Sequence, residues 1–540
     1  MSSDMRSGKR TPWRAGHLPG LDPGQVHWQV LRFAAHGSPL EVEVPLLTDA
    51  QMQALAAHVR GAAQARLQTM PVDAIIGVID RAVARLLDAN DPVRREADEL
   101  LPTVTGFDAE MVRLGLTAYL QTFRAPQLQR FVAQDFANPK VLDSFQPAVK
   151  GGAVRAFGPP LLAHIWAGNV PGLPLWSLAC GLLVKAGNIG KLPSAEPVFA
   201  TLFARLLCEV HPPLADCLAV VWWQGGQPGP AATLYSAADT VLAYGSNAAL
   251  RQVRQQVPAA TRFIGYGHKL GLTLVGRAAL DRQRGPAAAR RAALDIARWD
   301  QQGCYSSHAL YVERGGALSP RDFAQHLAAE LANLGHRYPR RVLALDEAEA
   351  VAAWRRAAEW RAIAGEDAGN GAGTDGGTGS GTDSGTDSGT DSGTGSGTDS
   401  GTDRGTNSAS AELLGDEAAP WALAYSDSPQ PLAPTAGQRC VQVSAVDALD
   451  DVLPLLAPHA AFLQTVGLAT TPAELYRLGV ALGRVGVTRI APLGGMTQPE
   501  AGWHHDGRFN LADLVRMVEI EQAAERAADA LAPYAQESGG

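Results

Sequence analysis

One cysteine of this chain lies in surroundings suited to nucleophilic chemistry. Cys304 follows Gly303 within the polar segment 300–308 and comes just before the apolar residues 309–312. A thiol acts as a nucleophile where it is accessible and has hydrogen-bond donors nearby, and an apolar core supplies neither. The remaining cysteines lie in apolar or strand-like runs or beside a Pro-rich turn, where free thiols are typically buried: Cys180, Cys208, Cys217 and Cys440. Cys304 is therefore the candidate nucleophile.

A second candidate group is the side-chain amide of Asn169. It follows the strand-like residues 161–165 and lies in the Gly/Pro turn 168–174. An amide at the carboxyl edge of a parallel sheet can point into the cleft where α/β enzymes bind their ligands. Asparagine is also common in turns for purely conformational reasons, and this alternative stays open.

Two later strand ends could contact a cofactor. Lys191 and Ser194 follow one strand-like run, and Gly245 and Ser246 follow another. A lysine at such an edge could pair with a phosphate or a ribose, although lone lysines are usually solvated. The backbone N–H groups of a strand-end turn can face a phosphate. The glycine-rich segment 265–271 is one residue too long for the dinucleotide-binding fingerprint.

The elements that must position these residues alternate between helical and strand-like patterns. Apolar residues at helical spacing predict amphipathic helices at 72–87 and 109–123, the second capped by Asp108. From residue 161 onward, short strand-like runs alternate with helices, which is typical of a parallel, doubly wound sheet. The chain is expected to be an α/β protein.

Residues 365–410 interrupt this pattern. They are almost entirely Gly, Thr, Asp and Ser, with a repeated Gly-Thr-Asp-Ser. Such a segment has no apolar surface to offset the entropy of ordering, so a disordered linker is predicted. A calcium-binding repeat would need a periodic apolar residue, which this segment lacks. Patterned sequence resumes beyond it, with a helix predicted at 472–482 that Gly483 would end.

Composition restricts the class of protein further. With 540 residues the chain can form two or three domains. Its net charge of −8, without a Lys/Arg cluster, argues against a nucleic-acid-binding surface. Five cysteines without paired spacing are typical of a reducing compartment, and no run reaches the ~18 apolar residues of a membrane span. We therefore expect a soluble, cytoplasmic protein.

Taken in order, these segments resemble the aldehyde dehydrogenase superfamily. The turn containing Asn169 and the backbone N–H of Cys304 are similar to the two parts of that family's oxyanion hole. Residues 191–194 are similar to its Lys-Pro-Ser-Glu segment, which holds the adenosine ribose, but have one extra residue. Residues 244–246 are similar to its Phe-x-Gly-Ser turn on the nicotinamide side.

Within the superfamily, the chain resembles the LuxC-like fatty-acid (acyl-CoA) reductases of bacterial luminescence systems. The similar segments are 163–171, 300–312, 462–467 and 505–507. The resemblance extends from about residue 108 to about residue 517, apart from the linker.

The resemblance implies an aldehyde-dehydrogenase-like α/β fold in three parts. These are an N-terminal helical region with a dinucleotide-binding domain at 1–275, a catalytic domain at 276–490, and a C-terminal segment at 491–540 that returns to the first domain. It also implies an acyl-CoA or acyl-protein thioester as substrate, an acyl-protein synthetase as partner, and a homo-oligomer. NADPH is the implied cofactor, held by four residues: Lys191, Ser194, Gly245 and Ser246.

The implied reaction is the reduction of a fatty acyl thioester to a fatty aldehyde. Cys304 would be the nucleophile, and Asn169 would stabilise the oxyanions. Hydrolytic members of the superfamily carry a Glu-Leu-Gly-Gly-Lys segment whose Glu activates water. Aligning on Lys269 puts Gly265 in the place of that Glu, so an acyl-cysteine should be hydrolysed poorly unless His268 acts as the base.

Two alternatives remain open at this point. One is an NAD(P)-dependent aldehyde dehydrogenase that oxidises aldehyde to acid, and the other is a non-catalytic scaffold of the same fold. A metal site is not assigned, because His504, His505 and Asp506 have no further ligand at a workable spacing.

Overall fold

The computed structural model describes residues 11–37, 39–226, 229–364 and 411–532. The predicted linker at 365–410 lies outside the described residues. The N-terminal part forms a small three-stranded sheet, a layer of helices and a further strand pair: β1 (Trp13–Arg14), β2 (His27–Phe33), β3 (Leu40–Leu46), α1 (Asp49–Ala62), α2 (Val72–Leu87), α3 (Pro92–Thr105), α4 (Ala109–Gln121), α5 (Ala125–Asp135), β4 (Gln146–Pro147) and β5 (Ala153–Phe157).

The predicted N-terminal helices are present with nearly the predicted bounds. The helix predicted at 72–87 is α2, and the helix predicted at 109–123 is α4, which ends two residues earlier. Asp108 caps α4 by accepting hydrogen bonds from the N–H groups of Glu110 and Met111. A carboxylate at this position satisfies N–H groups that have no partner within the helix.

The middle of the chain forms a five-stranded parallel sheet in the order β10-β9-β6-β7-β8. Its strands and helices are β6 (Leu161–Ile165), α6 (Leu173–Leu183), β7 (Gly187–Lys191), α7 (Phe199–Val210), β8 (Leu218–Val221), α8 (Pro230–Ala237), β9 (Thr240–Tyr244), α9 (Asn247–Gln256) and β10 (Arg262–Tyr266). Apolar side chains from both faces of the sheet are buried against helices, as a parallel sheet requires. This is the doubly wound sheet that the alternating pattern predicts.

A second sheet has seven strands in the order β13-β14-β15-β12-β11-β16-β17, and only β13 runs antiparallel to its neighbour. Its elements are β11 (Leu270–Val275), α10 (Arg284–Ala297), β12 (Ser307–Glu313), α11 (Pro320–Arg337), α12 (Leu345–Ala364), β13 (Ala411–Leu414), β14 (Ala422–Ser426), β15 (Cys440–Val446), α13 (Leu453–Leu456), β16 (Leu463–Ala469), α14 (Pro472–Arg484) and β17 (Arg489–Ala491). The chain crosses between the two sheets at 267–269, a few residues before the boundary predicted at 275.

The C-terminal segment leaves the second sheet. Its elements are β18 (Arg516–Ile520) and α15 (Gln522–Asp529). β18 pairs antiparallel with β5, which precedes the five-stranded sheet in the chain. The division into three domains stays a prediction. Among the described residues, no helix combines the length and the apolar sequence needed to cross a membrane.

The prediction that Gly483 ends a helix is wrong. α14 continues through Gly483 to Arg484, and Gly486 follows with a left-handed φ of 105°. Gly486 is the residue that reverses the chain, and the N–H of Val487 then donates to the carbonyl of Leu482 at 3.0 Å. A left-handed residue just beyond the helix favours glycine, and the sequence offered two glycines for that position.

Candidate active site

The two sheets enclose a cavity of about 530 Å³. Its lining includes residues that follow strands β6, β9 and β10, and residues that precede strands β11 and β12. The carboxyl edge of the five-stranded sheet therefore faces the amino edge of the seven-stranded sheet. Of the predicted site residues, the cavity brings together Asn169, Gly245, Ser246 and Cys304. Lys191 and Ser194 are not part of this lining.

A fixed loop presents Cys304 to the cavity. The three residues Trp299, Asp300 and Gln301 all have left-handed φ angles, between 46° and 62°, which non-glycine residues seldom adopt. A buried ion pair holds this conformation, because Nε of Arg439 donates to Asp300 at 2.6 Å. A strained backbone conformation of this kind persists only where contacts with the surrounding residues hold it in place. It is common next to functional residues.

The sulfur of Cys304 has two close polar neighbours. Nε2 of His505 lies 3.9 Å from Sγ, and Nε2 of Gln464 donates to Sγ at 3.4 Å. Cys304 is half-buried, so the thiol meets the cavity. Desolvation of the thiol by the surrounding protein nonetheless raises the pKa of Cys304 to about 11, and the hydrogen bond from Gln464 opposes this rise. The resting residue is a thiol and needs a base to become a nucleophile.

His505 is placed to be that base. Its ring stacks on Tyr266, with centroids 4.4 Å apart and planes 10° apart. Tyr244 and Trp503 pack against the same ring at 6.2 and 4.8 Å. Burial lowers the pKa of His505 to about 4, so the imidazole is neutral at neutral pH and can accept a proton from Cys304.

Asn169 lies at the edge of the nucleophile loop. Its Nδ2 donates to the carbonyl oxygen of Gln302 at 2.6 Å, and Gln302 is two residues before Cys304. The nitrogen of an amide side chain carries two N–H donors. One of them therefore remains for the oxyanion that forms when the sulfur attacks a carbonyl group. The geometry favours a role beyond turn formation, because the side chain reaches across from β6 to the loop that carries the thiol.

Lys191 and Ser194 lie at the carboxyl end of β7. Nζ of Lys191 lies 5.9 Å from the ring centroid of Trp223, and burial alone lowers the pKa of Lys191 to about 8. Oγ of Ser194 accepts a hydrogen bond from the indole of Trp222 at 3.2 Å. Lys191 is thus a half-buried cation that would gain from an anionic partner.

The turn at Gly245 and Ser246 differs from the expected phosphate cradle. The N–H of Gly245 donates to the carbonyl of Tyr266 at 3.2 Å, so it does not face a ligand. Oγ of Ser246 accepts from the N–H of Ala249 at 3.2 Å and caps α9. These contacts come from strand pairing and helix capping, neither of which is visible in the Gly-Ser dipeptide alone.

The position that sequence alignment assigns to a water-activating Glu does not face the thiol. Gly265 is absent from the cavity lining, and a Cβ placed there would lie 3.0 Å from Phe263 and 3.4 Å from Leu250. The next residue along the strand, Tyr266, contacts His505 instead. None of the described residues that line the cavity is an Asp or a Glu.

The sequence did not identify His505 and Gln464 as contacts of the thiol. Both residues lie in segments that resemble those of known reductases. In the sequence, His505 was otherwise considered only as a metal ligand. In the described part of the chain, no group of three His, Cys, Asp or Glu residues is arranged to hold a metal ion. Both residues lie more than 150 positions after Cys304, a separation across which spacing carries no information.

Comparison with known proteins assigns the chain to a family. The family model described as Acyl-CoA reductase (LuxC) matches residues 67–373 and 406–517, well over half of the chain. A long-chain acyl-protein thioester reductase of Aliivibrio fischeri is 28% identical over 224 residues, which are 40% of this chain and 45% of that protein. Long-chain acyl-protein thioester reductase 2 of Photobacterium leiognathi is 27% identical over 188 residues, or 34% and 38%. These matches span less than half the length of each relative.

Solved structures show the same fold. Aldehyde dehydrogenase 21 from Physcomitrella patens, in complex with the reaction product succinate, has a TM-score of 0.65 at 12% identity, covering 95% of this chain and 99% of that one. An NADP-dependent glyceraldehyde-3-phosphate dehydrogenase from Bacillus halodurans, complexed with NADP, has a TM-score of 0.62 at 11% identity, covering 92% and 96%. The architecture is thus the aldehyde-dehydrogenase-like α/β fold that the motifs suggested.

Proposed function

Because the chain belongs to the acyl-CoA reductase (LuxC) family, we propose that it reduces a fatty acyl thioester to a fatty aldehyde with NADPH, through an acyl-Cys304 intermediate. The observation that carries this proposal is the pairing of the Cys304 thiol with neutral His505 at 3.9 Å, in a cavity without a lining carboxylate. Such a site can form an acyl-cysteine but offers no carboxylate to hydrolyse it. The names of the curated relatives support an acyl-protein thioester as the donor, with acyl-CoA as the alternative.

The first step is transfer of the acyl group to the enzyme. His505 takes the proton of Cys304 while the sulfur attacks the thioester carbonyl. The free N–H of Asn169 stabilises the resulting oxyanion, which is the type of contact that contributes most to acyl transfer. The carbon–sulfur bond to the donor then breaks, and the departing thiolate takes the proton from His505. The product is acyl-Cys304 and a free thiol.

The second step releases the aldehyde. When bound, NADPH supplies the hydride that reduces the acyl-Cys304 thioester. Asn169 again stabilises the oxyanion, which then collapses with cleavage of its bond to the sulfur. The Cys304 thiolate that leaves is protonated, and the aldehyde departs.

Lys191 and its surroundings fit a phosphorylated dinucleotide. The cation is half-buried, and no carboxylate among the described residues offsets the effect of burial on its pKa. The acidic residue nearest in sequence, Glu196, is itself buried, and its Oε1 accepts from the N–H groups of Val198 and Phe199, both at 2.8 Å. The side chain of Glu196 therefore stabilises the start of α7 through these hydrogen bonds. Without a free carboxylate to repel it, the 2′-phosphate of NADPH would be a favourable partner for Lys191.

The cavity also suits a fatty acyl chain. One wall is formed by Gly115, Ala118 and Tyr119, which are at helical spacing on α4, and by Thr122 just beyond the helix. Aromatic rings form much of the remainder, among them Trp176, Trp299 and Trp503. Apolar and aromatic walls with a few converging polar groups are typical of sites that bind apolar ligands.

The proposal is tested by following cofactor consumption with tetradecanoyl-CoA and with a tetradecanoyl-protein thioester, while identifying the product by mass spectrometry. We expect NADPH to be consumed with stoichiometric formation of aldehyde, more efficiently than NADH. Cys304→Ala should abolish the reaction, and Cys180→Ala, a change in a buried residue of α6, should mainly lower stability. Oxidation of tetradecanal to acid with no reduction of either thioester would contradict the proposal.

A further inference from the structure

Gln464 links the thiol of Cys304 to a carboxylate. It is fully buried near the start of β16. Its Nε2 donates to Sγ of Cys304 at 3.4 Å and to Oδ1 of Asp506 at 2.6 Å. The two hydrogens of a single amide nitrogen thus serve the nucleophile and the carboxylate together.

Asp506 determines which end of the amide faces the sulfur. An ionised carboxylate only accepts hydrogen bonds, so the amide nitrogen of Gln464 must turn toward it. The amide oxygen then points the other way, where it accepts from Oγ1 of Thr465 at 3.2 Å. With Asp506 in place, the group that meets Cys304 is a donor, which favours the thiolate over the thiol.

Asp506 is itself held by unusual backbone. It has a left-handed φ of 55°, and Gly507 follows with a φ of 73°. Nζ of Lys269 lies 3.8 Å from its Oδ2. This conformation brings Asp506 to Gln464 while the preceding residue, His505, reaches Cys304. A non-glycine residue in this region of φ is uncommon and is often found at functional sites.

Several charged or titratable groups face Cys304 from the elements packed around it. His505 and Asp506 come from one loop, Arg489 comes from β17, and Tyr305 is adjacent in the chain. Lys269 faces Asp506 from the opposite side. Arg489 is held by the carbonyl oxygens of Gly495 and Met496 and does not donate to the sulfur. Gln464 is therefore the side-chain amide that donates to Sγ from a buried position.

We infer that Gln464 is a positioning residue for the nucleophile, and that Asp506 orients it so that its N–H stabilises the Cys304 thiolate. This rests on the proposed function only in taking Cys304 as the nucleophile. Neither residue contacts the substrate carbonyl in this scheme, and each acts through the sulfur.

The test measures the ionisation of Cys304 without substrate or cofactor. The rate of alkylation of Cys304 by iodoacetamide is followed from pH 6 to 10 by mass spectrometry of the peptide that contains it. Because the pKa of Cys304 is about 11, the thiol is mostly protonated in this range, and a rise of one unit in the midpoint of its ionisation lowers the rate about tenfold at each pH. Loss of a hydrogen bond to a charged group should move this midpoint up by about one pH unit in Gln464→Met. Gln464→Glu should raise it as well, because a buried carboxyl group beside Asp506 would share a proton with it and leave no donor for the sulfur.

The matched control is Gln442→Met, in strand β15 of the same sheet, whose Nε2 donates to the carbonyl of Val443 and not to Cys304. It should leave the midpoint unchanged. If Gln464→Met and Gln464→Glu both keep the parent midpoint, the inference is wrong. Since no acyl donor is used, a failure here is distinct from a failure of the proposed reaction, which would show as absent acylation with the midpoint shifts intact.

Asp506→Asn separates orientation from charge. Removing the negative charge alone lowers the midpoint, whereas losing the orientation of Gln464 raises it. We therefore expect Asp506→Asn to lower the midpoint by less in the parent than in the Gln464→Met background. Equal shifts in the two backgrounds would show that Asp506 acts only as a charge and would overturn its orienting role.

Discussion

At the scale of single residues, the reactive thiol depends on a partner rather than on its own acidity. Burial raises the pKa of Cys304 to about 11, so little thiolate exists at neutral pH. Burial lowers the pKa of His505 to about 4, so its imidazole is free to accept a proton. The same low-polarity environment thus keeps the acid protonated and the base unprotonated and disfavours a separate thiolate–imidazolium pair. In the proposed reaction the proton therefore passes to His505 as the sulfur attacks the carbonyl group, not before.

This pairing predicts the pH dependence of acylation. In the parent, the rate of acyl-Cys304 formation should change little between pH 6 and 9, because His505 is neutral above pH 4 and the thiol keeps its proton below pH 11. In His505→Gln the reaction needs preformed thiolate, so the rate should rise about tenfold per pH unit and be roughly 10²- to 10⁴-fold slower at pH 7. Single-turnover acylation with labelled acyl thioester measures both rates.

His268→Gln is the control, because His268 also lines the cavity but forms no hydrogen bond with Cys304 among the described residues. Its profile should match that of the parent. A large loss in His268→Gln, with little change in His505→Gln, would assign the base to His268 instead.

Asn169 gives a second prediction at this scale. Replacing it with Ala removes the N–H available for the oxyanion and should lower turnover about a hundred-fold, the usual loss for one such donor. The exposed Asn90, in the loop between α2 and α3, is the matched control, and Asn90→Ala should leave turnover unchanged. A folded Asn169→Ala enzyme with near-normal turnover would show that the residue serves only the turn.

At the scale of elements, helix α4 supports the nucleophile loop. A Cβ at Gly115 would lie 2.3 Å from Cζ2 of Trp299, so the indole fills the space that a side chain on the helix would need. Trp299 is buried, has a left-handed φ and packs edge-on against Phe107 at 5.3 Å. The ring cannot move aside without disturbing the strained residues that lead to Cys304.

Gly115→Ala should therefore destabilise the protein by about 1–3 kcal/mol, as overpacking does, and should also slow acylation of Cys304. Gly61→Ala in helix α1 is the control, because a Cβ there has open space and alanine favours a helix by up to about 1 kcal/mol. Thermal unfolding and acyl labelling of both variants provide the comparison. Unchanged stability and labelling in Gly115→Ala would mean that the loop is fixed by the Asp300–Arg439 ion pair alone.

Individual elements also show what the sequence could and could not predict. Local signals were sufficient for α2 and for the Asp108 cap of α4, because each depends on residues close together in the chain. The N-terminal strands β2 and β3 were missed, although residues 40–44 of β3 alternate between apolar and charged types, a local pattern that is typical of a half-buried strand. Cys304 was identified from its neighbours, whereas His505 and Gln464 reach it only through the arrangement of two sheets.

At the scale of the whole molecule, the cavity of the candidate active site exists because two sheets meet edge to edge. The carboxyl edge of the five-stranded sheet contributes Asn169, Gly245 and Ser246, and the amino edge of the seven-stranded sheet contributes Cys304. Neither sheet has the full set of groups. The residues at these strand ends form the lining of the cavity. None of the described residues in that lining is an Asp or a Glu.

This junction predicts the fate of the acyl group. Without a carboxylate positioned to deprotonate water, hydrolysis of acyl-Cys304 lacks assistance worth roughly 10²–10⁴-fold, and a neutral His505 with a pKa of about 4 is a weak base toward water. Acyl-enzyme made without NADPH should therefore persist, and aldehyde should greatly exceed free acid once NADPH is added. Gly265→Glu should not restore hydrolysis, because its side chain would point toward Phe263 and Leu250. The measurement is the decay of labelled acyl-enzyme together with the ratio of aldehyde to acid. Rapid release of free fatty acid by the parent enzyme would show that His505 or another group activates water, and would favour a hydrolytic dehydrogenase.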